Sequence, residues 1–206
     1  METTTKLPTV LPPIGLDGIV LKNGSHRDRE AGVCAMEAVA WLAGEPHSDA
    51  PVCASPVLSR FLMSWNDALD DEGRQKLKPF LSRVIGTRDD GHDEERAWMC
   101  TDWLVRECAP AWLELAGVKQ SPKALRKLPP ITTAAKAKKA QPKIEQARKD
   151  GAAAWDAARA AAWAAARAAA GDAALDAAGA DLLPTVKTLQ ESAIKLVEEM
   201  INAKLP

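Results

Sequence analysis

The chain has 206 residues and a formal net charge of −1; 47% of it is hydrophobic, with seven Trp, two Phe and no Tyr. Much of the apolar share is alanine, so a modest helical core is expected, while the Leu, Val and Trp of residues 28–118 exclude disorder there. No apolar run reaches membrane-spanning length, Met1 to Pro13 lacks the basic start and apolar stretch of a signal peptide, and the four cysteines form no CxxC pair, so a reduced, cytoplasmic protein is expected.

Residues 1–25 read as extended. Pro8, Pro12, Pro13, Gly15 and Gly18 prevent a helix, and Ile19, Val20 and Leu21 are placed to pack on the body. A helix is predicted from about Asp28 to Ala43, ended by Gly44 and followed by a loop, Glu45 to Ala54. Ser55-Pro56 is a cap with proline at the first helical position; it opens a helix to about Leu69 with Leu58, Phe61, Leu62, Trp65 and Leu69 at core spacing. A shorter stretch, about Asp71 to Val84, is disturbed near Pro79. After a loop at Gly86 to Gly91, a helix runs from near Asp90 to about Ala116. Trp98, Leu104, Val105, Cys108, Trp112 and Leu115 mark its buried side, and Pro110 kinks it. Ser121-Pro122 starts a short helix to Leu128, and Pro129-Pro130 stops it and reads as a hinge or domain boundary. From Thr133 the pattern is helical to about Asp181, with a break at Pro142. Leu183-Pro184 ends that rod, and Thr185 caps a last amphipathic helix bearing Val186, Leu189, Leu196, Val197 and Met200.

The rod contains the most unusual pattern in the chain. From Trp155, nearly pure alanine is interrupted every fourth residue by Trp155, Arg159, Trp163, Arg167, Gly171, Leu175 and Gly179. Alanine is the strongest helix former and leaves little side chain to pack, which implies a thin rod. Four residues turn a helix by about 400°, so the Trp/Arg line winds around it, and a period of four disfavours a simple heptad zipper. Trp, Arg and Gly codons can differ at a single base, so near-identical tetrads also fit tandem duplication in a GC-rich gene. On that reading the arm is a spacer helix; on the other, its Trp and Arg side chains are a recognition surface.

Two clusters carry candidate chemistry. Residues 26–53 gather His26, Cys34, Glu37, His47, Asp49 and Cys53, with Cys34 and Glu37 on one helix face. His26, Cys34, His47 and Cys53 would make a complete tetrahedral set for zinc, the basis for a metal-binding protein or a small metal-dependent hydrolase. The spacing matches no finger, ribbon, HExxH or deaminase pattern. The plainer reading makes Cys34 and Cys53 small buried residues and His47-Ser48-Asp49 a turn cap. Residues 88–96, with His92 among Asp89, Asp90, Asp93, Glu94 and Glu95, could supply an acid–base pair in a cleft, but read more plainly as a solvated helix start.

Charge is unevenly distributed. Residues 119–150 hold ten basic residues against Glu145 and Asp150, a local charge of +8 that leaves −9 for the rest. Lys136, Lys138, Lys139, Lys143, Arg148 and Lys149 are the nucleic-acid candidates. The segment has no aromatic residue for base stacking, and a soluble linker helix is the competing reading.

The stretches LPTVLPPIGLDGIVLKNGSH, GVCAMEAVAWLAGEPHSDAPVCASPVLSRFLMSWNDAL, GHDEERAWMCTDWLVRECAPAWLELAG and LLPTVKTLQESAIKLVEEMI, the last after an alanine/Trp/Arg tract, resemble a family of actinobacterial and actinophage proteins. The likeness covers most of the chain. It implies a bacterial or phage setting and carries over no catalytic residue.

The expected architecture is all-α: an extended segment at 1–25, a compact multi-helix body at 26–128, a basic then alanine-rich arm at 129–184, and a terminal amphipathic helix at 185–206. The expected function is noncatalytic, a helical interaction or regulatory protein working by self-assembly or partner capture. Trp155, Arg159, Trp163, Arg167, Leu189, Val197 and Met200 are the expected contacts, no membrane partner is expected, and metal binding at residues 26–53 and nucleic-acid binding at 119–149 are the alternatives.

Overall fold

The computed structural model describes residues 18–168 and 172–203, with side chains described to Ala157 and again from Leu182. The described chain is all-α, with no strand among the described residues. It divides into two compact units, one running to Asp93 and taking in the chain from Ile201, the other spanning Glu94–Met200.

In the first unit, capping chemistry sets the helix ends. Helix α1 spans Ala35–Leu42 rather than starting near Asp28. Gly32 has φ +150, a backbone state that side-chain-bearing residues rarely adopt, and this interrupts any earlier helix. The start is then fixed by a reciprocal capping box between Cys34 and Glu37. Helix α2, Pro56–Ala68, opens as its sequence indicates: Ser55 Oγ accepts from the N–H groups of Val57 and Leu58, with proline at the first helical position. Two short helices follow, α3 (Asp71–Gln75) and α4 (Lys78–Leu81).

Helix α1 packs on both α2 and α4. Met36, Leu58, Leu62, Leu77 and Leu81 are sealed from solvent. The extended residues before α1 alternate: Ile19 and Leu21 are buried, and Val20 between them is 64% exposed. Leu21 pairs with Val33 in an isolated parallel bridge, and the Gln75 side chain satisfies both its N–H and its carbonyl. The expected extended segment at 1–17 lies outside the described residues.

The second unit begins in helix α5, Asp93–Trp103, which widens into a π-helical turn at Leu104–Cys108 before α6, Ala109–Leu115. The cause is local. Pro110 has no N–H to donate back to Arg106, and its ring crowds the preceding turn, so the helix takes up a wide turn just before it. That turn rotates every later side chain relative to a regular helix. Leu113 therefore faces the core, while Trp112 is 44% and Leu104 55% exposed, against the expectation that both are buried. Helix α7, Gln120–Arg126, follows. Ser121 does not cap it; its hydroxyl donates instead to Asp150.

Helix α8 spans Ala134–Ala168 and continues through Pro142 without the expected break. Pro142 is exposed, so water can satisfy the carbonyl its missing N–H leaves free. Leu113, Leu125, Leu128, Ile131, Ala140 and Ala147 form one buried cluster, flanked by Trp98, Val105 and Ile144. Leu128 and Ile131 stand on either side of Pro129-Pro130, so the expected domain boundary falls inside a single core. Helix α9 runs Asp172–Ile201 through Pro184, so the terminal helix does not begin at Thr185. Thr188 bonds back to the Pro184 carbonyl, and the buried Ala193, Leu196, Val197 and Met200 anchor the far end.

Candidate functional site

The residues singled out between His26 and Cys53 are only partly brought together. At their centre is the Glu37 carboxylate, 1% exposed, one turn into α1. Its Oε1 accepts the His26 N–H at 2.6 Å, and its Oε2 accepts the Cys34 N–H at 2.7 Å and the His26 Nδ1–H at 2.8 Å. His47 Nε2 lies 3.5 Å from Oε1 and donates to the His26 carbonyl at 3.0 Å. Because a carbonyl can only accept, Nε2 carries the proton of a neutral His47 ring; Nδ1 is then a bare lone pair, buried without a hydrogen-bond partner. A Cβ at Gly32 would sit 2.6 Å from the His26 ring, so the glycine seats the imidazole.

This geometry is that of a structural tie. Burial pushes the Glu37 carboxyl up, but the N–H groups of His26 and Cys34 and the His26 imidazole outweigh it and hold its pKa below the ordinary 4.5. One carboxylate thereby ties the segment before α1 to the start of α1, and His47 ties the loop after α1 to the same segment through the His26 carbonyl.

His26, Cys34, His47 and Cys53 are not brought together as the expected zinc set. Among the described residues no group of three or more His, Cys, Asp or Glu has metal-holding geometry. Cys34 Sγ is occupied as the α1 cap, accepting the Glu37 N–H. Cys53 interacts with Glu45 instead, and its carbonyl receives the N–H groups of Gly86 and Arg88. Burial raises the Cys34 thiol to about 12, and the thiols of Cys53, Cys100 and Cys108 to about 11. None is an activated nucleophile or a ready thiolate.

The polar run at 88–96 is less solvated than its composition implies. His92 is 8% exposed and Arg96 is fully buried, its Nε donating to the Met200 carbonyl. Asp93 accepts the Ser55 hydroxyl.

The expected partner contacts separate into three groups. Trp155 is 70% exposed on α8. Val197 and Met200 are fully buried and Leu189 is half-buried, so these three belong to the chain's own interior more than to an open contact face. The side chains of Arg159, Trp163 and Arg167 lie outside the described residues.

All six nucleic-acid candidates, Lys136, Lys138, Lys139, Lys143, Arg148 and Lys149, are exposed on α8, as are Lys119, Lys123, Arg126 and Lys127 on and beside α7. The turn faces of α8 explain this. Ala140 and Ala147 form its buried seam, with Ala137 and Ile144 beside them, and every basic position falls off that seam. Sequence alone pointed to a charge cluster; which face it occupies depended on the small size of the alanines that dock against α7.

No protein-family model, curated protein or solved structure matches the chain.

Proposed function

We propose that this is a noncatalytic interaction protein of a bacterial or phage setting, whose α8 arm associates with a second copy of itself. The observation that carries this reading is Trp155. It lies one turn beyond Gly151, which packs against Leu113, and stands 70% exposed beside the exposed Ala152, Ala153 and Ala157. A large exposed aromatic on a helix of small residues suits close helix–helix contact, because alanine faces let two backbones approach and tryptophan supplies the apolar area. A second copy carries the same Trp155 surface, as a symmetric pair requires. The protonated thiols and the saturated Glu37 carboxylate support a noncatalytic role.

Sedimentation velocity of the full chain and of Trp155→Ala tests it. Alanine strengthens the helix, so the variant keeps the arm folded. The expected result is a dimer whose dissociation constant rises about 30-fold in the variant, the loss of a central aromatic contact of about 2 kcal/mol. A wild-type chain that stays monomeric at about 100 µM, or a dimer indifferent to the substitution, overturns the reading.

A further inference from the structure

The basic surface of α7 and α8 is not used by the proposed self-association, and it has its own chemistry. On α8, Lys136, Lys139 and Lys143 are spaced three and four apart, which puts them within about 60° of one another along about 10 Å of helix. On α7, Ser121, Pro122 and Leu125 face inward, while Lys123, Arg126 and the flanking Lys119 and Lys127 face out.

Among the described residues, Arg126 is the one basic side chain of this surface paired with a carboxylate, Glu114, while Glu145 and Asp150 lower the local charge without pairing with a lysine. Glu145 is bonded by Gln141, and Asp150 by Ser121 and Gln146, all neutral partners. Asp102 is taken by Arg106 and the Ile131 N–H, and Glu114 by Arg126. Among the described residues, none of Lys136, Lys138, Lys139, Lys143, Arg148 and Lys149 forms an ion pair; Lys136 reaches only the Thr132 hydroxyl.

We propose that the exposed basic side chains of α7 and α8, led by the Lys136–Lys139–Lys143 stripe, bind the phosphate backbone of double-stranded nucleic acid without reading its sequence. Charge complementarity selects a polyanion: a duplex carries about one charge per 1.7 Å of axis, dense enough to offer a phosphate to each cation of the row. Residues 119–150 contain no aromatic side chain, which disfavours single strands, whose bases are gripped by stacking. The outward positions between the lysines are Ala, Gln, Thr, Pro and Glu145, and offer none of the large apolar side chains that a lipid surface takes up. Gln141 and Gln146, the side chains suited to reading base edges, are held along the helix by Glu145 and Asp150.

The test is fluorescence anisotropy of the full chain with a labelled mixed-sequence DNA duplex across a salt series, for wild type and for Lys136→Gln/Lys139→Gln/Lys143→Gln. Glutamine keeps helix propensity, and circular dichroism checks the fold. Wild type is expected to bind at low salt. The triple variant is expected to lower the slope of log K against log salt by about 2 to 3, three phosphate contacts at about 0.9 each. The same changes at Lys187 and Lys195 on α9 are expected to leave the slope within about one contact of wild type. No duplex binding at about 50 mM salt, or a slope that the triple variant leaves unchanged, overturns the proposal. So does equal affinity for polyglutamate, which would reduce the surface to general anion attraction, and so does capture by phosphatidylserine vesicles in place of the duplex.

Discussion

Glu37 shows how one side chain can join two segments. Its carboxylate accepts two backbone N–H groups and an imidazole N–H while almost wholly buried. Glu37→Gln puts an amide donor where only acceptors fit, and is expected to cost about 3 kcal/mol, read as a lower urea midpoint with unchanged slope. The pH dependence has a definite sign. Because the folded pKa is held below the ordinary 4.5, the stability from Glu37 is present above that value and is lost as pH falls through the lower folded one. Urea midpoints for wild type should fall on acidification below pH about 4.5, and part of that fall should be missing in Glu37→Gln. The four thiols give a second residue-scale expectation. With Cys34 raised to about 12 and the others to about 11, native protein at pH about 8 should react with a thiol reagent far more slowly than urea-unfolded protein. A single fast-reacting native cysteine would contradict the burial that raises them.

At the scale of elements, the prolines decide more than their number suggests. Pro56 begins a helix, Pro110 forces a π-turn, and Pro142 and Pro184 are carried inside long helices. A proline costs a helix one hydrogen bond and crowds the preceding turn, but flanking residues of high helix propensity and a docked seam outweigh that locally. Pro142→Ala should therefore raise stability, by about 1 to 3 kcal/mol, because Pro142 is exposed and its change adds a hydrogen bond without disturbing packing. Thermal unfolding checks the direction; a lowered midpoint would mean that the proline rigidifies the unfolded chain more than it strains α8.

For the whole molecule, the division at Asp93/Glu94 replaces the boundary expected at Pro129-Pro130. A fragment ending at Pro130 would lose Ile131, Ala140 and Ala147 from the cluster that buries Leu113, Leu125 and Leu128. It should retain helical signal yet bind a hydrophobic dye and melt without a sharp transition from residue 94 onward, whereas the full chain should bind little dye. Both surfaces proposed to make contacts involve α8, the basic face shared with α7 where the helix is docked and Trp155 beyond it. Charge reversal on the first and truncation of the second should separate duplex binding from self-association.

Sequence by itself determined the all-α class, the Ser55-Pro56 helix start, the disturbance at Pro79 and the long alanine helix. These rest on local terms: helix propensity, capping and the missing N–H of proline act within a few residues. The charge asymmetry was equally legible, since it is additive along the chain. Tertiary structure alone decided which polar residues meet. His26, Cys34, Glu37 and His47 converge because a turn at Gly32 and the loop after α1 bring them to one buried carboxylate, while Cys53 is drawn to Glu45. It also decided which apolar residues remain outside. A single π-turn exchanged Trp112 for Leu113, and the burial of Val197 and Met200 turned an apparent contact stripe into core. Spacing along a chain specifies a face of a helix, but what covers that face is set by the partners that long-range packing supplies.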